Sequence, residues 1–110
     1  MSNDELPAEI NVATARDLLA AGNATLLDVR EPLEHAICQV PGSQLLPMRQ
    51  VPTALEQLPR ERNLLVLCHH GGRSQRVTQF LRANGFPRAV NIRGGIDAWA
   101  AELDASLPRY

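Results

Sequence analysis

Residues 63–85, NLLVLCHHGGRSQRVTQFLRANG, decide the fold of this chain. The run Leu64–Leu67 is short and apolar throughout, which is typical of a strand buried on both faces. Beyond it, apolar residues recur at helical spacing until Asn84-Gly85, a typical helix end. The stretch therefore predicts a buried strand, a glycine-bearing loop and a helix in immediate succession.

Cys68 stands between the predicted strand and helix, at the head of the hexapeptide CHHGGR. Amide groups at a helix start stabilise an anion in front of them, and a loop with paired glycines can curl so that further amides point inward. Such a site favours a nucleophilic thiolate and can also hold a charged sulfur adduct or an oxyanion. The alternative is an inert buried cysteine beside an ordinary glycine turn.

Two more strands are predicted to end near this loop. Ala24–Asp28 has the pattern of a buried strand, and Ala89–Ile92 has it again just before Arg93-Gly94-Gly95. Strands that alternate with helices indicate an α/β fold with a parallel sheet covered on both faces, and ligands bind outside the carboxyl ends of such strands. We therefore expect Asp28, Cys68 and the glycine pair after Arg93 to meet at one edge of the sheet.

The remaining elements are predicted from weaker patterns. A capping-box-like start at Thr14 and Asp17 predicts a helix that ends at Gly22. The other predicted elements are a short helix with Glu31-Pro32 in its first turn that runs through His35, a strand over Ser43–Leu46, a helix over Val51–Leu58 and a last helix over Ile96–Leu103.

Length and composition bound the class of protein. With 110 residues and 45% hydrophobic content, we expect one domain over residues 1–110, with a core at about 10–103 and flexible ends. A net charge of -1 argues against nucleic-acid binding. The chain has no membrane-length apolar run, no basic-then-apolar leader and only two cysteines, so we expect a cytoplasmic protein without a disulfide scaffold.

The loop resembles the active-site loop of the rhodanese family, in which the matching cysteine carries a persulfide during sulfur transfer. Three other stretches are similar to family signatures: Leu26–Glu31, Val40–Ser43 and Asn91–Trp99. The similarity spans about residues 10 to 103. It implies a single domain with a five-stranded parallel sheet in the order 1-5-4-2-3 and helices on both faces.

The resemblance also implies an activity. It implies an enzyme, a rhodanese-type sulfurtransferase that moves a sulfane sulfur from a donor such as thiosulfate to cyanide or a thiol, through a ping-pong cycle with Cys68 as the catalytic residue. We expect no cofactor other than the covalent persulfide. The expected partners are a small-molecule donor and acceptor or a thiol protein, with no nucleic acid, no membrane and a monomeric state.

The expected substrate-binding loop consists of His69, His70, Gly71, Gly72, Arg73 and Ser74. Its amides would hold the persulfide, and Ser74 would add a hydroxyl at the helix start. Arg73 would bind an anionic donor, or pair with Asp28 or Glu31.

The two histidines are expected at the rim, since inward amides direct side chains outward, although a general-base role is the alternative. We expect no metal site, because Cys68, His69 and His70 are adjacent rather than at ligand spacing. Asp28 and Arg30 match family positions that brace the loop, and they are expected to support it without reacting.

Two other functions stay open at this stage. A branch of the family fold uses the same cysteine in phosphatases and arsenate reductases, whose loops carry five residues between cysteine and arginine where this chain has four. A non-catalytic sulfur-carrier or regulatory module is the second alternative. Cys38 is expected to be a buried small hydrophobe, with a resolving thiol for Cys68 as the other interpretation.

Overall fold

The structure is a computed structural model that describes residues 6–110; residues 1–5, part of the end expected to be flexible, lie outside the described residues. Its strands are β1 (Glu9–Ile10), β2 (Ala24–Asp28), β3 (Gln44–Leu45), β4 (Asn63–Leu67) and β5 (Ala89–Ile92). Its α-helices are α1 (Val12–Ala20), α2 (Pro32–Ile37), α3 (Gly72–Ala83) and α4 (Gly95–Glu102). Two 3₁₀ helices cover Met48–Thr53 and Leu55–Gln57. None of the helices in this described part is long and apolar enough to cross a membrane.

The five strands form one parallel sheet in the order β1-β5-β4-β2-β3, which confirms the predicted fold class and strand order. β4 lies at the centre, and all five of its residues are buried, as its continuous apolar run predicts. Asp28 on β2 stands opposite Leu67 on β4, so Asp28 and Cys68 leave the sheet at the same edge.

Helices cover both faces of the sheet. On one face, α1 and α4 contribute Val12, Ala15, Ile96 and Trp99 to a core that also contains Cys38 and Val40. On the other, α3 and the first 3₁₀ helix contribute Val77, Leu81 and Val51 to a core that contains Cys68. The two apolar layers fix α3 and α4 against the sheet, and both helices begin at the edge where β4 and β5 end.

Two predicted elements differ in detail. The side chain of Asn11 caps α1 by accepting a hydrogen bond from the Thr14 amide at 2.8 Å, so the helix starts at Val12 and the predicted start at Thr14 and Asp17 was wrong. The predicted helix over 51–58 is instead the pair of 3₁₀ helices. Between them, Ala54 adopts φ -108° and ψ 4° and interrupts the helical path.

The C-terminal segment after α4 turns back toward the edge where the strands end. Arg109 binds both carboxylate oxygens of Asp97 on α4, at 3.1 Å each. Tyr110 reaches farther and hydrogen-bonds to Glu34 on α2. Flexibility of this end stays a prediction, but the contacts place its last two side chains beside the loop that follows β4.

Candidate active site

Cys68 follows the last residue of β4 and is 1% exposed. Its Sγ accepts a hydrogen bond from the Gly71 amide at 3.1 Å, and the Ser74 hydroxyl lies 3.3 Å away. Gly71 adopts φ 112°, a left-handed conformation that favours glycine, and this conformation precedes α3. The sulfur therefore faces one inward amide and one hydroxyl at the N-terminus of a helix.

The N-terminus of α4 holds the backbone of this loop. The amides of Ile96 and Asp97 donate to the carbonyl oxygens of Cys68 and His69, at 2.8 and 3.1 Å. A Cβ on Gly95 would lie within 2.4 Å of both carbonyl oxygens, so only glycine allows the two backbones to approach this closely. These hydrogen bonds fix the two carbonyl groups with their oxygens directed at the start of α4.

Ser74 belongs to a series of hydrogen bonds that connects it, through Asn91, to Glu9 on β1. Its Oγ lies 2.5 Å from Oδ1 of Asn91 on β5, and Nδ2 of Asn91 donates to the Glu9 carboxylate at 2.9 Å. Asn91 is 2% exposed. Asn91 was not among the predicted site residues, although a polar residue inside the apolar strand Ala89–Ile92 is a signal that could have found it.

Arg73 is paired with Glu34. The two guanidinium nitrogens donate to the two carboxylate oxygens at 2.6 and 2.8 Å, so the expected partners Asp28 and Glu31 were wrong. The hydrogen bond from Arg73 is the main cause that lowers the pKa of Glu34 to about 2, and the same bond raises the pKa of Arg73. Tyr110 Oη also donates to Glu34, at 2.9 Å. The pair is therefore ionised at neutral pH, and Tyr110 holds its carboxylate in place.

Asp28 and Arg30 form a fully buried ion pair, with Nη2 2.6 Å from Oδ2. Arg30 also donates to the Cys38 carbonyl at 2.7 Å and to the Tyr110 hydroxyl at 2.9 Å. Burial alone would lower the pKa of Arg30, but its hydrogen bonds to Asp28 and Tyr110 raise it, so it stays charged. The pair thus connects the end of β2 to α2 and to the C-terminal segment. Arg30 also donates to the Glu34 carbonyl, and Glu34 in turn binds Arg73 at the start of α3.

His69 is stacked between His70 and Tyr110, with ring centroids 3.9 Å apart on each side. Its Nε2 is buried and has no hydrogen-bond partner within residues 6–110. Burial, with the neighbouring His70, lowers the pKa of His69, so its imidazole is neutral at pH 7. These contacts give His69 a packing role at the rim, while His70 is exposed.

One group of side chains offers atoms of the kind that bind metals. His69, His70 and Asp97 bring such atoms within 4.8 Å of one another. Both oxygens of Asp97 already accept hydrogen bonds from Arg109, and the two imidazoles are stacked. A metal ion would have to displace Arg109 and separate the rings.

A cavity of about 310 Å³ opens onto the sulfur, and its walls are Cys68, His69, His70, Gly72, Arg73 and Arg76. Arg76 is exposed, and it is the one arginine in the described residues that makes no hydrogen bond or ion pair with them. The sequence predicted Arg73 as the anion-binding cation and did not single out Arg76. Its place one helical turn after Arg73 was the available signal.

Arg76 also borders a second, apolar cavity of about 210 Å³ whose other walls are Met48, Val51, Pro52, Val77 and Phe80. Arg76 therefore lines both the cavity at the sulfur and this apolar groove, so a ligand that spans both would meet its positive charge.

Cys38 lies apart from this site. Both cysteines are free thiols, and each packs in a different apolar core, on opposite faces of the sheet. Arg30 Nη1 approaches the Cys38 sulfur at 3.9 Å. The structure thus agrees with a buried small side chain and gives no contact between the two sulfurs.

Comparison with known proteins places this geometry in a family. Residues 11–102 match the Rhodanese-like domain. The chloroplastic Rhodanese-like/PpiC domain-containing protein 12 of Arabidopsis thaliana is 39% identical over 99 residues, which are 86% of this chain and 33% of that protein. A protein named sulfurtransferase from Allochromatium vinosum is 37% identical over 75 residues, 68% of this chain and 70% of that one. The chain thus spans about a third of the Arabidopsis relative.

Solved structures agree with the fold. A rhodanese-like domain protein from Staphylococcus aureus superimposes with a TM-score of 0.80 at 30% identity, covering 94% of this chain and 99% of that one. The human single-domain sulfurtransferase TSTD1 gives a TM-score of 0.81 at 27% identity, covering 88% and 98%. Both resemble this chain across nearly their whole length.

Proposed function

The chain belongs to the rhodanese-like domain family, and from this premise we propose that it is a sulfurtransferase that carries a sulfane sulfur as a persulfide on Cys68. One observation carries the proposal. The Gly71 amide donates a hydrogen bond to the sulfur of Cys68, which lines a cavity at the start of α3. This arrangement supplies what an anionic sulfur adduct needs.

The proposed cycle has two halves and needs no cofactor. The Cys68 thiolate attacks the outer sulfur of thiosulfate and forms a new S–S bond, while the bond from that sulfur to the sulfonate breaks and sulfite leaves with the electron pair. Cyanide or a thiolate acceptor then attacks the outer sulfur of the persulfide, and the Cys68 thiolate leaves with its electron pair. Thiosulfate and cyanide follow from the family resemblance.

The residues around the sulfur divide this work. The Gly71 amide donates to the charged sulfur, and the dipole of α3 favours negative charge in front of it. Arg76 is the cation available to the sulfonate group of a donor, since Arg73 is bound at both nitrogens by Glu34. Arg30, paired with Asp28, supports the Glu34–Arg73 pair by donating to the Glu34 carbonyl and to the Tyr110 hydroxyl.

The test is sulfur transfer from thiosulfate to cyanide by the wild-type protein and by two variants. Cys68→Ala should lose turnover completely, because it removes the sulfur on which the persulfide forms. Cys38→Ala is the matched control and should keep turnover nearly intact, because Cys38 packs on the opposite face of the sheet. Thiocyanate production by Cys68→Ala at the wild-type rate would contradict the proposal.

Mass spectrometry of the intact protein after thiosulfate treatment separates the enzyme from the carrier. An added sulfur atom that is lost on incubation with cyanide supports the full cycle. A stable added sulfur without turnover would indicate the non-catalytic carrier instead. We keep the monomeric state, the cytoplasmic location and an acceptor that is a small thiol or a thiol protein as parts of the proposal, to be measured by light scattering, fractionation and acceptor assays.

A further inference from the structure

The Ser74 hydroxyl has one proton and two neighbours that can accept it. Oδ1 of Asn91 lies 2.5 Å from Ser74 Oγ, and Sγ of Cys68 lies 3.3 Å from it. All three residues are at most 2% exposed, so water does not compete for this proton. The direction in which the hydroxyl points therefore decides whether Cys68 receives one hydrogen bond or two.

Glu9 fixes the orientation of the Asn91 amide. Nδ2 of Asn91 lies 2.9 Å from the Glu9 carboxylate, which only accepts hydrogen bonds when it is ionised. The NH₂ group must therefore face Glu9, and the amide oxygen must face Ser74. Because an amide oxygen also only accepts, the hydroxyl proton of Ser74 lies on the Asn91 side, and Ser74 offers the sulfur a lone pair.

A lone pair suits a thiol, which can donate its hydrogen, but it does not stabilise a thiolate. We propose that Asn91, oriented by Glu9, is a positioning residue that holds the Ser74 proton away from Cys68 and thereby restrains formation of the thiolate. The inference rests on the proposed function, in which the thiolate is the nucleophile. When the sulfur becomes anionic, Ser74 can turn toward it only by leaving the buried Asn91 oxygen without a donor.

Glu9 is the best residue at which to test this series of hydrogen bonds, because it is the member of the series that is exposed to solvent. Its side chain is 40% exposed and borders a cavity of about 140 Å³ that Asn91 also lines. Glu9→Ala therefore removes the carboxylate without leaving a closed hole in the core. Water in its place can donate as well as accept, so the amide becomes free to turn, donate to Ser74 and release the hydroxyl proton to the sulfur.

The experiment measures the rate of Cys68 alkylation by iodoacetamide at pH 6, with peptide mass spectrometry to distinguish Cys68 from Cys38. We expect Glu9→Ala to react about threefold faster than wild type, since a roughly tenfold larger thiolate fraction is partly offset by the lower nucleophilicity of a better-stabilised thiolate. An unchanged rate would overturn the proposal. Sulfur transfer is assayed in parallel, so its absence in the wild type would refute the function while the alkylation comparison still stands.

A double-mutant comparison separates the hydrogen bond from simple loss of charge. Removing a negative charge favours the thiolate with or without Ser74, whereas the proposed route requires the hydroxyl. The acceleration caused by Glu9→Ala should therefore disappear when it is made in Ser74→Ala, and equal acceleration in both backgrounds would contradict the proposal. Arg93→Gln is the matched control: it removes the other partner of Glu9, 3.9 Å away, and should not accelerate alkylation.

Discussion

Arg73 and Arg76 stand one helical turn apart at the start of α3, and their different surroundings separate their roles. Arg73 is bound to Glu34 at both of its terminal nitrogens. Arg76 borders the cavity at Cys68 and has no partner among residues 6–110. An arginine held by a carboxylate has little capacity left for a substrate anion, so a free arginine at the same cavity is the better binding group.

We therefore predict that Arg76→Ala raises KM for thiosulfate about tenfold with a smaller effect on kcat, as expected for the loss of one charge-assisted contact. Arg73→Ala should instead lower the melting temperature, because it leaves Glu34 without its main partner. Steady-state kinetics and thermal unfolding of both variants check this, with Arg16→Ala, another exposed arginine, as the control. An unchanged KM in Arg76→Ala would contradict this prediction and would favour Arg73 as the residue that binds thiosulfate.

The site residues that could be predicted from the sequence are those that lie close to one another along the chain. Cys68, its loop and Ser74 lie within one strand–loop–helix unit, so a local pattern was enough to find them. Glu34 lies 39 positions from Arg73, Asn91 lies 17 from Ser74, and Tyr110 lies 76 from Glu34. Their contacts depend on how the sheet brings distant segments to one edge, and composition or spacing does not encode them.

At the scale of a structural element, the length of the loop between β4 and α3 determines which backbone groups reach the Cys68 sulfur. Four residues lie between Cys68 and Arg73, and within them Gly71 turns its amide to the sulfur at 3.1 Å. The prediction of α3 from residues 63–85 succeeded because apolar spacing and a helix end agree there. The prediction over 51–58 failed because apolar spacing could not show that the chain breaks at Ala54 into two 3₁₀ helices.

We predict that the wild type has negligible activity on aryl phosphates, because a cradle of this length encloses one sulfur rather than three phosphoryl oxygens. Insertion of one glycine between Gly71 and Gly72 should lower sulfur transfer at least about tenfold, since it moves the start of α3 away from the sulfur. Parallel kinetics on thiosulfate and a small aryl phosphate provide the measurement. Efficient phosphate hydrolysis by the wild type would favour the phosphatase alternative.

For the whole molecule, Glu34 joins three segments that are far apart in the chain. It accepts hydrogen bonds from Arg73 on α3, from Tyr110 in the tail and from the Glu31 amide at the start of α2. Its pKa is lowered to about 2 from the usual 4.5, so it contributes stability while it is ionised. The contribution should be complete above about pH 4.5 and should be lost as the pH falls toward 2.

We accordingly predict that Glu34→Gln, which can still accept from the Glu31 amide, is less stable than wild type by on the order of 1 kcal/mol at pH 7. The difference should shrink as the pH is lowered through about 2, because the wild-type carboxylate takes up its proton in that range. Chemical denaturation of both proteins at several pH values tests this. A difference that does not depend on pH would show that shape, rather than charge, accounts for the role of Glu34.

The stacking of Tyr110 on His69 has a practical consequence for anyone who prepares this protein. His69 forms part of the wall of the Cys68 cavity, so a purification tag or fusion partner joined after Tyr110 would emerge beside the opening of that cavity. Kinetic constants from such a preparation would include the effect of the added segment on access and on the stacked rings. Assays should therefore compare preparations with and without such a tag or fusion partner.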